Sequence, residues 1–273
     1  MKNASKKRIL ITGAASGIGL CAAREFAKAG SDLILTDINA EGLEHAEKEL
    51  SGYGVEVVSR VVDVMQSGQV DDLAAWVIDD IGELDILINC AGIGYQGELA
   101  DTSIETWNKL LGINLLGPLY HVYAFLPHFK QRRSGHIVNI SSGQAIFRLP
   151  TWGAYASIKA ALGIFSEILY YELRKYNIKV TTVYPFMVNT PFYDQIHAET
   201  RGSKLAMKLV PYYSMRPEKV GRIIFHAVKK QARVETVSVL NDLGHYARLV
   251  PFANELMAMT SNLLLTKRVD KTV

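Results

Sequence analysis

Residues that build metal centres and disulfide frameworks are scarce in this sequence. The 273 residues include two cysteines, Cys21 and Cys90, which do not form a CxxC pair. The seven histidines are scattered along the chain without an HxH, HExxH or Cys/His cluster. The sequence therefore predicts no metal site, and both cysteines are expected to be reduced thiols of an intracellular, cytoplasmic protein.

Long apolar runs and long charge runs are also missing. No stretch approaches the roughly 18 apolar residues of a typical membrane span, and the polar N-terminus lacks the apolar core of a secretory signal. The only basic tract is KKR at 6–8, and the net charge is +3. These features argue against a nucleic-acid-binding protein.

A regular alternation of apolar strands and helices occupies residues 8–185. Strands are predicted at 8–13, 31–37, 55–64, 84–92, 135–142 and 178–185, and helices at 18–30, 40–50, 67–82, 103–132 and 155–176. Strands made almost entirely of Val, Ile and Leu must be covered on both sheet faces. With a further helix at 218–231 and a strand at 235–240, the pattern predicts a Rossmann-like α/β fold. This is a doubly wound parallel sheet of about seven strands with helices on both faces.

A single domain over residues 1–273 is expected, because no linker or repeat divides the chain. Residues 186–217 interrupt the alternation, and a loop of this length in a compact domain usually has a function. We predict that it binds substrate. The segment 241–273 is apolar and irregular, and this C-terminal extension could cover the pocket, pack on a partner subunit or contact a membrane surface.

The sequence TGAASGIG at 12–19 joins the first strand to the first helix. Gly13, Gly17 and Gly19 allow a tight turn, and the helix N-terminus offers free N–H groups to a pyrophosphate. Asp37 ends the second strand, where its carboxylate can accept hydrogen bonds from ribose hydroxyls and repel a 2′-phosphate. The pattern predicts a dinucleotide site that prefers NAD(H) over NADP(H).

The sequence YASIK at 155–159 opens a predicted helix and places two titratable side chains on one helix face. A lysine ammonium stabilises a nearby phenolate, so Lys159 is expected to lower the pKa of Tyr155 toward the range useful for acid–base chemistry. Ser142 ends a strand at the carboxyl edge of the sheet, where open α/β sheets bind ligands. Asn114 lies on a predicted helix that would pack beside this edge.

Together these motifs resemble those of the short-chain dehydrogenase/reductase family, in its typical short form. The resemblance extends over about residues 8–190 and includes TGxxxGIG, Asp63 in DV, the NxAG turn at 89–92, Asn114, Ser142, YxxxK and a proline after the sixth strand. It implies hydride transfer between a carbinol carbon and a nicotinamide, with Tyr155 as the acid–base. It also implies that Ser142 orients the substrate, that Lys159 binds the nicotinamide ribose, and that Asn114 holds a helix kink and the water of a proton relay.

The resemblance also implies which residues contact the cofactor. The pyrophosphate is expected at the glycine loop, the adenine at Asp63 and Val64, and the carboxamide at Val188 and Thr190. The full set of predicted cofactor-binding residues is Gly13, Ser16, Gly17, Ile18, Gly19, Asp37, Asp63, Val64, Asn89, Ala91, Gly92, Tyr155, Lys159, Pro185, Val188 and Thr190.

Two positions depart from the family pattern. Cys90 stands where the family usually has a second asparagine, and we expect its side chain to point into the core. Phe186 stands where a glycine usually follows the proline, so it is expected to add bulk beside the nicotinamide.

The predicted substrate pocket is mostly apolar and aromatic. Its candidate residues are Gln144, Ile146, Phe147, Leu149, Trp152, Phe186, Met187, Phe192 and Tyr193. Such a pocket favours a lipophilic secondary alcohol or ketone, of steroid-like, retinoid-like or acyl type. Two alternatives stay open: an NADPH-dependent 3-ketoacyl or polyketide-type ketoreductase, and a non-catalytic dinucleotide-sensing protein. The helix at 155–176 is apolar on more than one face, which predicts a homodimer or homotetramer.

Overall fold

The computed structural model describes residues 6–147, 149–194, 196, 205, 208 and 214–237. They build a seven-stranded parallel sheet in the order β3-β2-β1-β4-β5-β6-β7. The strands are β1 (Arg8–Thr12), β2 (Asp32–Asp37), β3 (Val57–Val61), β4 (Ile86–Asn89), β5 (Gly135–Ile140), β6 (Ile178–Val183) and β7 (Val234–Glu235). The Rossmann-like α/β fold predicted from the alternation is confirmed.

Helices cover both faces of this sheet. They are α1 (Gly17–Lys28), α2 (Ala40–Ser51), α3 (Ser67–Trp76), α4 (Ile104–Leu111), α5 (Gly117–Arg132), α6 (Gln144–Phe147), α7 (Gly153–Leu173) and α8 (Pro217–Lys230). Alternate side chains of β1 enter different apolar clusters: Ile9 and Ile11 pack with Phe26 of α1, and Leu10 packs with Phe125 of α5. The central strands are buried on both faces, which explains why their sequences are almost entirely apolar.

The strand order reverses between β1 and β4, and open α/β sheets bind ligands at such a point. Thr12 at the end of β1 is opposite Thr36 of β2 on one side and Asn89 of β4 on the other. Asn89 is in turn opposite Asn139 of β5. The carboxyl ends of four strands therefore meet at one edge, and the loops that follow them build the candidate site.

Two predicted helices contain a π-helical turn that their periodicity did not indicate. The helix predicted at 67–82 continues from α3 into a π-helical turn over Val77–Ile81. The helix predicted at 103–132 has a π-helical turn over Gly112–Leu116, between α4 and α5. Turns of this kind are frequent at functional sites, and the second one carries Asn114.

One helical span within the described ranges, Ile104–Arg132, has the length and composition to cross a membrane, and half of its most apolar window is buried inside the fold. A core helix of a globular protein has the same properties. The strand predicted at 235–240 is described only as Val234–Glu235. The extension at 241–273 and much of the loop at 186–217 lie outside the described residues, so the predicted domain boundaries stay predictions.

Candidate active site

The glycine loop between β1 and α1 packs so closely on its neighbours that side chains have no room. Gly13 has a φ of +68°, and a Cβ on it would lie 2.7 Å from Ala91 Cα. A Cβ on Gly19 would overlap the carbonyl oxygen of Gly13. The start of α1 is therefore held close to the loop after β4, with the free N–H groups of its first turn at the cleft. The loop fits a pyrophosphate, as the sequence predicts.

Asp37 lies at the end of β2, beside the glycine loop. Its Oδ2 accepts a hydrogen bond from Ala15 N (3.1 Å) and its Oδ1 accepts one from Asn39 N (3.0 Å). Each oxygen retains accepting capacity, and the carboxylate lines the cleft. Among the described residues that line this cleft, Lys159 is the only lysine or arginine. Lys159, the catalytic lysine candidate, is therefore the only basic side chain of the described lining that could offset the charge of the Asp37 carboxylate.

Thr12, which the sequence analysis did not single out, joins two loops of the site. Its Oγ1 accepts hydrogen bonds from the backbone N–H groups of Cys90 and Ala91, both at 3.0 Å. The turn after β4 is thereby fixed against the glycine loop. Cys90 packs against the apolar cluster on the α1 face, as expected, and it also lines the cleft. A threonine that ends a buried strand resembles any strand-forming residue, so only its place before Gly13 could have indicated this role.

The predicted catalytic side chains of α7 and β5 meet in the cleft. Tyr155 and Lys159 lie one turn apart near the start of α7, and Ser142 closely follows β5. The hydroxyl groups of Ser142 and Tyr155 lie close to each other. Lys159 Nζ donates to the carbonyl oxygen of Ile140 at 2.9 Å. All three side chains are more than nine-tenths buried, so the structure brings together the serine, tyrosine and lysine that the motifs indicated.

Asn114 lies behind this group rather than in the cleft. Its Nδ2 donates to Ile93 O at 3.0 Å, and its Oδ1 accepts from Ile93 N at 3.3 Å. A Cβ on Gly92 would lie 2.9 Å from Asn114 Oδ1 and 3.5 Å from Lys159 Nζ, so the asparagine and the lysine both lie close to Gly92. A π-helical turn carries Asn114, and the helix kink implied by the resemblance stays a prediction. The water of the proton relay stays a prediction.

Burial controls the ionisation of the tyrosine and the lysine. It raises the pKa of Tyr155 to about 12, and the hydrogen bond with Ser142 offsets only part of this rise. Burial also lowers the pKa of Lys159 to about 8. Desolvation outweighs the other effects on the pKa of Tyr155, and the Lys159 ammonium donates to Ile140 O. The expectation that Lys159 lowers the pKa of Tyr155 stays a prediction. At neutral pH, Tyr155 keeps its proton and Lys159 is largely charged.

A chain of buried amides and hydroxyls connects α7 to the sheet. Asn89 Nδ2 donates to Asn139 Oδ1, and Asn139 Nδ2 donates to Ser166 Oγ, both at 2.8 Å. In addition, Ser141 Oγ donates to Lys159 O at 2.7 Å. Asn89 is outside the described cleft lining, and its predicted contact with the ribose side stays a prediction. Its side chain joins β4 to β5 and so helps to fix the helix that carries Tyr155 and Lys159.

Aromatic rings line the other end of the cleft. Tyr155 packs edge-on against Trp152 and Phe192, with ring centroids 5.9 and 5.7 Å apart. Phe186 lines the cleft, whereas Phe147 does not and packs on Phe186 with ring centroids 4.6 Å apart. Phe147 supports a ring that lines the cleft, and its predicted contact with the substrate stays a prediction.

Most of the predicted residues line this one cleft. The cofactor-binding set does so except for Asn89, and from the substrate set Gln144, Trp152, Phe186, Met187, Phe192 and Tyr193 do so. Ile146 and Leu149 line a separate groove instead. The cleft also has apolar lining that the motifs did not indicate, namely Ile38, Val62, Ile93, Ile113 and Pro191. Single apolar residues beside a motif have no pattern that distinguishes them from core residues.

Comparison with known proteins agrees with this arrangement. Residues 7–201 match the short chain dehydrogenase family. The chain is 32% identical over 230 residues to an uncharacterized oxidoreductase of Staphylococcus haemolyticus, with 84% of this chain and 94% of that protein covered. It is 33% identical over 223 residues to the 3-ketodihydrosphingosine reductase of Bos taurus, with 79% and 66% covered. A short-chain dehydrogenase from Streptomyces avermitilis has a similar structure, with a TM-score of 0.80 and 26% identity over 93% of this chain and 96% of that one. The protein therefore belongs to the short-chain dehydrogenase family of oxidoreductases.

Proposed function

We propose that this protein is an NAD-dependent oxidoreductase that interconverts a secondary alcohol and a ketone. The observation that carries the proposal is that Ser142, Tyr155 and Lys159 line the same cleft as the glycine loop. Membership of the short-chain dehydrogenase family supports the same class of reaction.

A nicotinamide dinucleotide fits the residues of the cleft. Gly13 and Gly19 leave a cradle that a Cβ would fill, and Asp37 supplies carboxylate oxygens close to it. When bound, the nicotinamide supplies or accepts the hydride. The contacts expected at Asp63, Val64, Val188 and Thr190 belong to the same proposal, and all four line the cleft.

Tyr155 is the residue proposed to move the proton. Because burial raises its pKa to about 12, the phenol is protonated at neutral pH and can donate to a carbonyl oxygen during ketone reduction. Ser142, which lies close to Tyr155, would orient the same oxygen. Alcohol oxidation requires the phenolate instead. We therefore expect ketone reduction to be favoured at neutral pH and the rate of alcohol oxidation to rise as the pH is raised.

The preference for NAD(H) rests on Asp37. A 2′-phosphate beside this carboxylate would bring like charges together, and among the described lining residues Lys159, beside Tyr155, is the only cation. Like-charge contacts cost several kcal/mol, so kcat/KM should favour NAD over NADP by on the order of 100-fold. Asp37→Ser should lower that ratio, whereas Glu41→Ser, which removes an exposed carboxylate on α2, should leave it unchanged. A wild-type enzyme that prefers NADP would contradict this part of the proposal.

The substrate is proposed to be lipophilic, of steroid-like, retinoid-like or acyl type. Support comes from the aromatic lining by Trp152, Phe186 and Phe192, and from the similarity to a 3-ketodihydrosphingosine reductase. The alternative of an NADPH-dependent 3-ketoacyl or polyketide-type ketoreductase is less favoured, because that cofactor would place its 2′-phosphate beside Asp37.

A substrate screen that follows NADH absorbance tests the reaction, using steroids, retinoids and acyl ketones. Tyr155→Phe should lower turnover by about 100- to 10,000-fold while NADH binding is retained. Tyr53→Phe is the matched control, because Tyr53 is exposed on the surface and its hydroxyl is not part of the cleft. Full turnover by Tyr155→Phe would refute the proposed role. NADH binding without turnover of any compound would instead support the dinucleotide-sensing alternative.

We also propose that the protein forms a homodimer or homotetramer in the cytoplasm. Helices α5 and α7 expose large apolar side chains, among them Tyr123, Ile164 and Ile168, and such a surface supports association between copies. Light scattering should give a mass above that of one chain for the wild type and a lower mass for Ile168→Glu. A wild-type protein with the mass of one chain would contradict the proposed oligomer.

A further inference from the structure

We infer that the substrate carries a hydroxyl or amino group close to its reacting carbon, and that Gln144 accepts a hydrogen bond from it. The inference rests on the proposed function, since it concerns the substrate of the same cleft. Gln144 begins α6, two residues after Ser142, and its backbone N–H donates to Ser142 Oγ at 3.2 Å. This bond holds the glutamine next to the hydroxyl that is proposed to orient the reacting oxygen.

The carbonyl oxygen of the Gln144 side chain is buried and unsatisfied. The residue is 4% exposed and lines the cleft, and its Oε1 has no hydrogen-bond partner within the described part of the chain. A buried acceptor without a partner is unfavourable, and native structures contain few of them. A donor on a ligand in the cleft would satisfy this oxygen.

The surroundings of Gln144 restrict the chemistry of that donor. A carboxylate or phosphate has no proton to give to Oε1 at neutral pH. Lys159 is the only cation among the described lining residues, so an anionic group would find little compensation. A hydroxyl or an amine can donate to Oε1. Because the rings of Trp152 and Phe186 line the same cleft, the rest of the substrate is expected to be apolar. The indicated class is a lipophilic hydroxy- or amino-substituted secondary alcohol, or the corresponding ketone.

Cyclohexanol and the vicinal cyclohexanediol provide a matched test, since they differ by one hydroxyl. With NAD as cofactor, the wild type should favour the diol in kcat/KM by roughly 10- to 100-fold. Gln144→Met should bring the ratio close to one, because the added hydroxyl of the diol then has no acceptor at this position. Gln96→Met is the matched control: Gln96 is also buried with an unpartnered Oε1 among the described residues, but it does not line the cleft. Its substitution should leave the ratio unchanged.

Equal kcat/KM values for the two compounds in the wild type would overturn the inference, whether or not Gln144→Met folds. A Gln144→Met enzyme that keeps the wild-type preference would also overturn it. So would a variant in which only KM for NAD rises, because the amide would then belong to the cofactor site.

A binding measurement separates this inference from the proposed function. In the Tyr155→Phe variant with NADH present, calorimetry gives the ratio of Kd values for the two compounds without any turnover. A Kd ratio that favours the diol and disappears when Gln144→Met is added supports the inference even if no compound is oxidised. Absence of turnover in the wild type would then refute the proposed reaction alone.

Discussion

Replacing Lys159 by methionine should stabilise the fold while removing a residue that the proposed reaction needs. The lysine is 4% exposed, and its Nζ donates to Ile140 O at 2.9 Å. Burial lowers the pKa of Lys159 from 10.5 to about 8, which means that its charge is less favourable in the folded chain than in the unfolded one. Methionine has a similar length and no charge, so Lys159→Met removes this unfavourable contribution.

The pKa shift of Lys159 sets the size of the effect. At 1.36 kcal/mol per pKa unit, a shift from 10.5 to about 8 corresponds to about 3 kcal/mol of destabilisation. Since the folded pKa lies below the unfolded value, the unfolded chain binds more protons between these two values, and stability rises with pH across that window. The destabilisation is fully present below the folded pKa. Loss of the hydrogen bond to Ile140 O acts against the gain by about 1 kcal/mol and does not depend on pH.

Urea unfolding of the wild type and of Lys159→Met tests this reasoning. The variant should be more stable by about 2 kcal/mol at neutral pH, and this difference should shrink by roughly 2 to 3 kcal/mol by about pH 10. Lys109→Met is the control, because Lys109 is exposed on α4 and its ammonium is in contact with water in both states. A difference between Lys159→Met and the wild type that stays constant with pH would refute burial of the charge as the cause.

Three other perturbations address the glycine loop, the buried amides and the acid limit of stability. Gly13→Ala should lower the free energy of unfolding by about 2 to 4 kcal/mol and abolish NADH binding. Gly54→Ala is the control, because Gly54 has a similar φ of +75° but no atom within 4 Å of the added Cβ, and it should lower the free energy of unfolding by only about 1 kcal/mol. Urea unfolding and NADH titration measure both effects. Asn139→Ala should lower the free energy of unfolding by about 2 to 4 kcal/mol, since the buried hydrogen bonds of this amide to Asn89 and Ser166 are both lost. An unchanged thermal midpoint would contradict this. Burial lowers the pKa of His136 from 6.5 to about 4. The free energy of unfolding should therefore fall by about 3 kcal/mol in total as the pH falls through that window. Urea unfolding should show a shallower acid dependence in His136→Phe.

The strands could be predicted closely where the chain is buried in the middle of the sheet. The strands predicted at 8–13 and 31–37 are Arg8–Thr12 and Asp32–Asp37, because a short apolar run between turns is stable only between two covered neighbours. The strand predicted at 55–64 is shorter, Val57–Val61. β3 is an edge strand and pairs on one side only, so its apolar residues extend beyond the hydrogen-bonded part.

Within the site, the motifs predicted well which residues share a cleft. They predicted less well the direction in which each side chain points. Asn89 and Cys90 are neighbours in one motif, yet Asn89 bonds to Asn139 while Cys90 lines the cleft. Successive residues of an extended chain point to opposite faces, and a motif does not contain that information by itself. The π-helical turn around Asn114 also lacks a sequence signal, because it is accompanied by two hydrogen bonds to Ile93, a residue distant in the chain.

Two groups that lower stability on their own lie in the lining of one cleft. Lys159 is charged and buried, and Gln144 has a buried acceptor without a partner in the described chain. Apolar residues at both positions would give a more stable chain, and departures from the rules of stable packing are expected where a site has a function. Because the cofactor is expected to contact Lys159 and the substrate is inferred to contact Gln144, binding of both should raise the unfolding temperature of the wild type by more than that of Lys159→Met or Gln144→Met. The instability at these two positions is therefore evidence for the nature of the ligand as well as for the place where it binds.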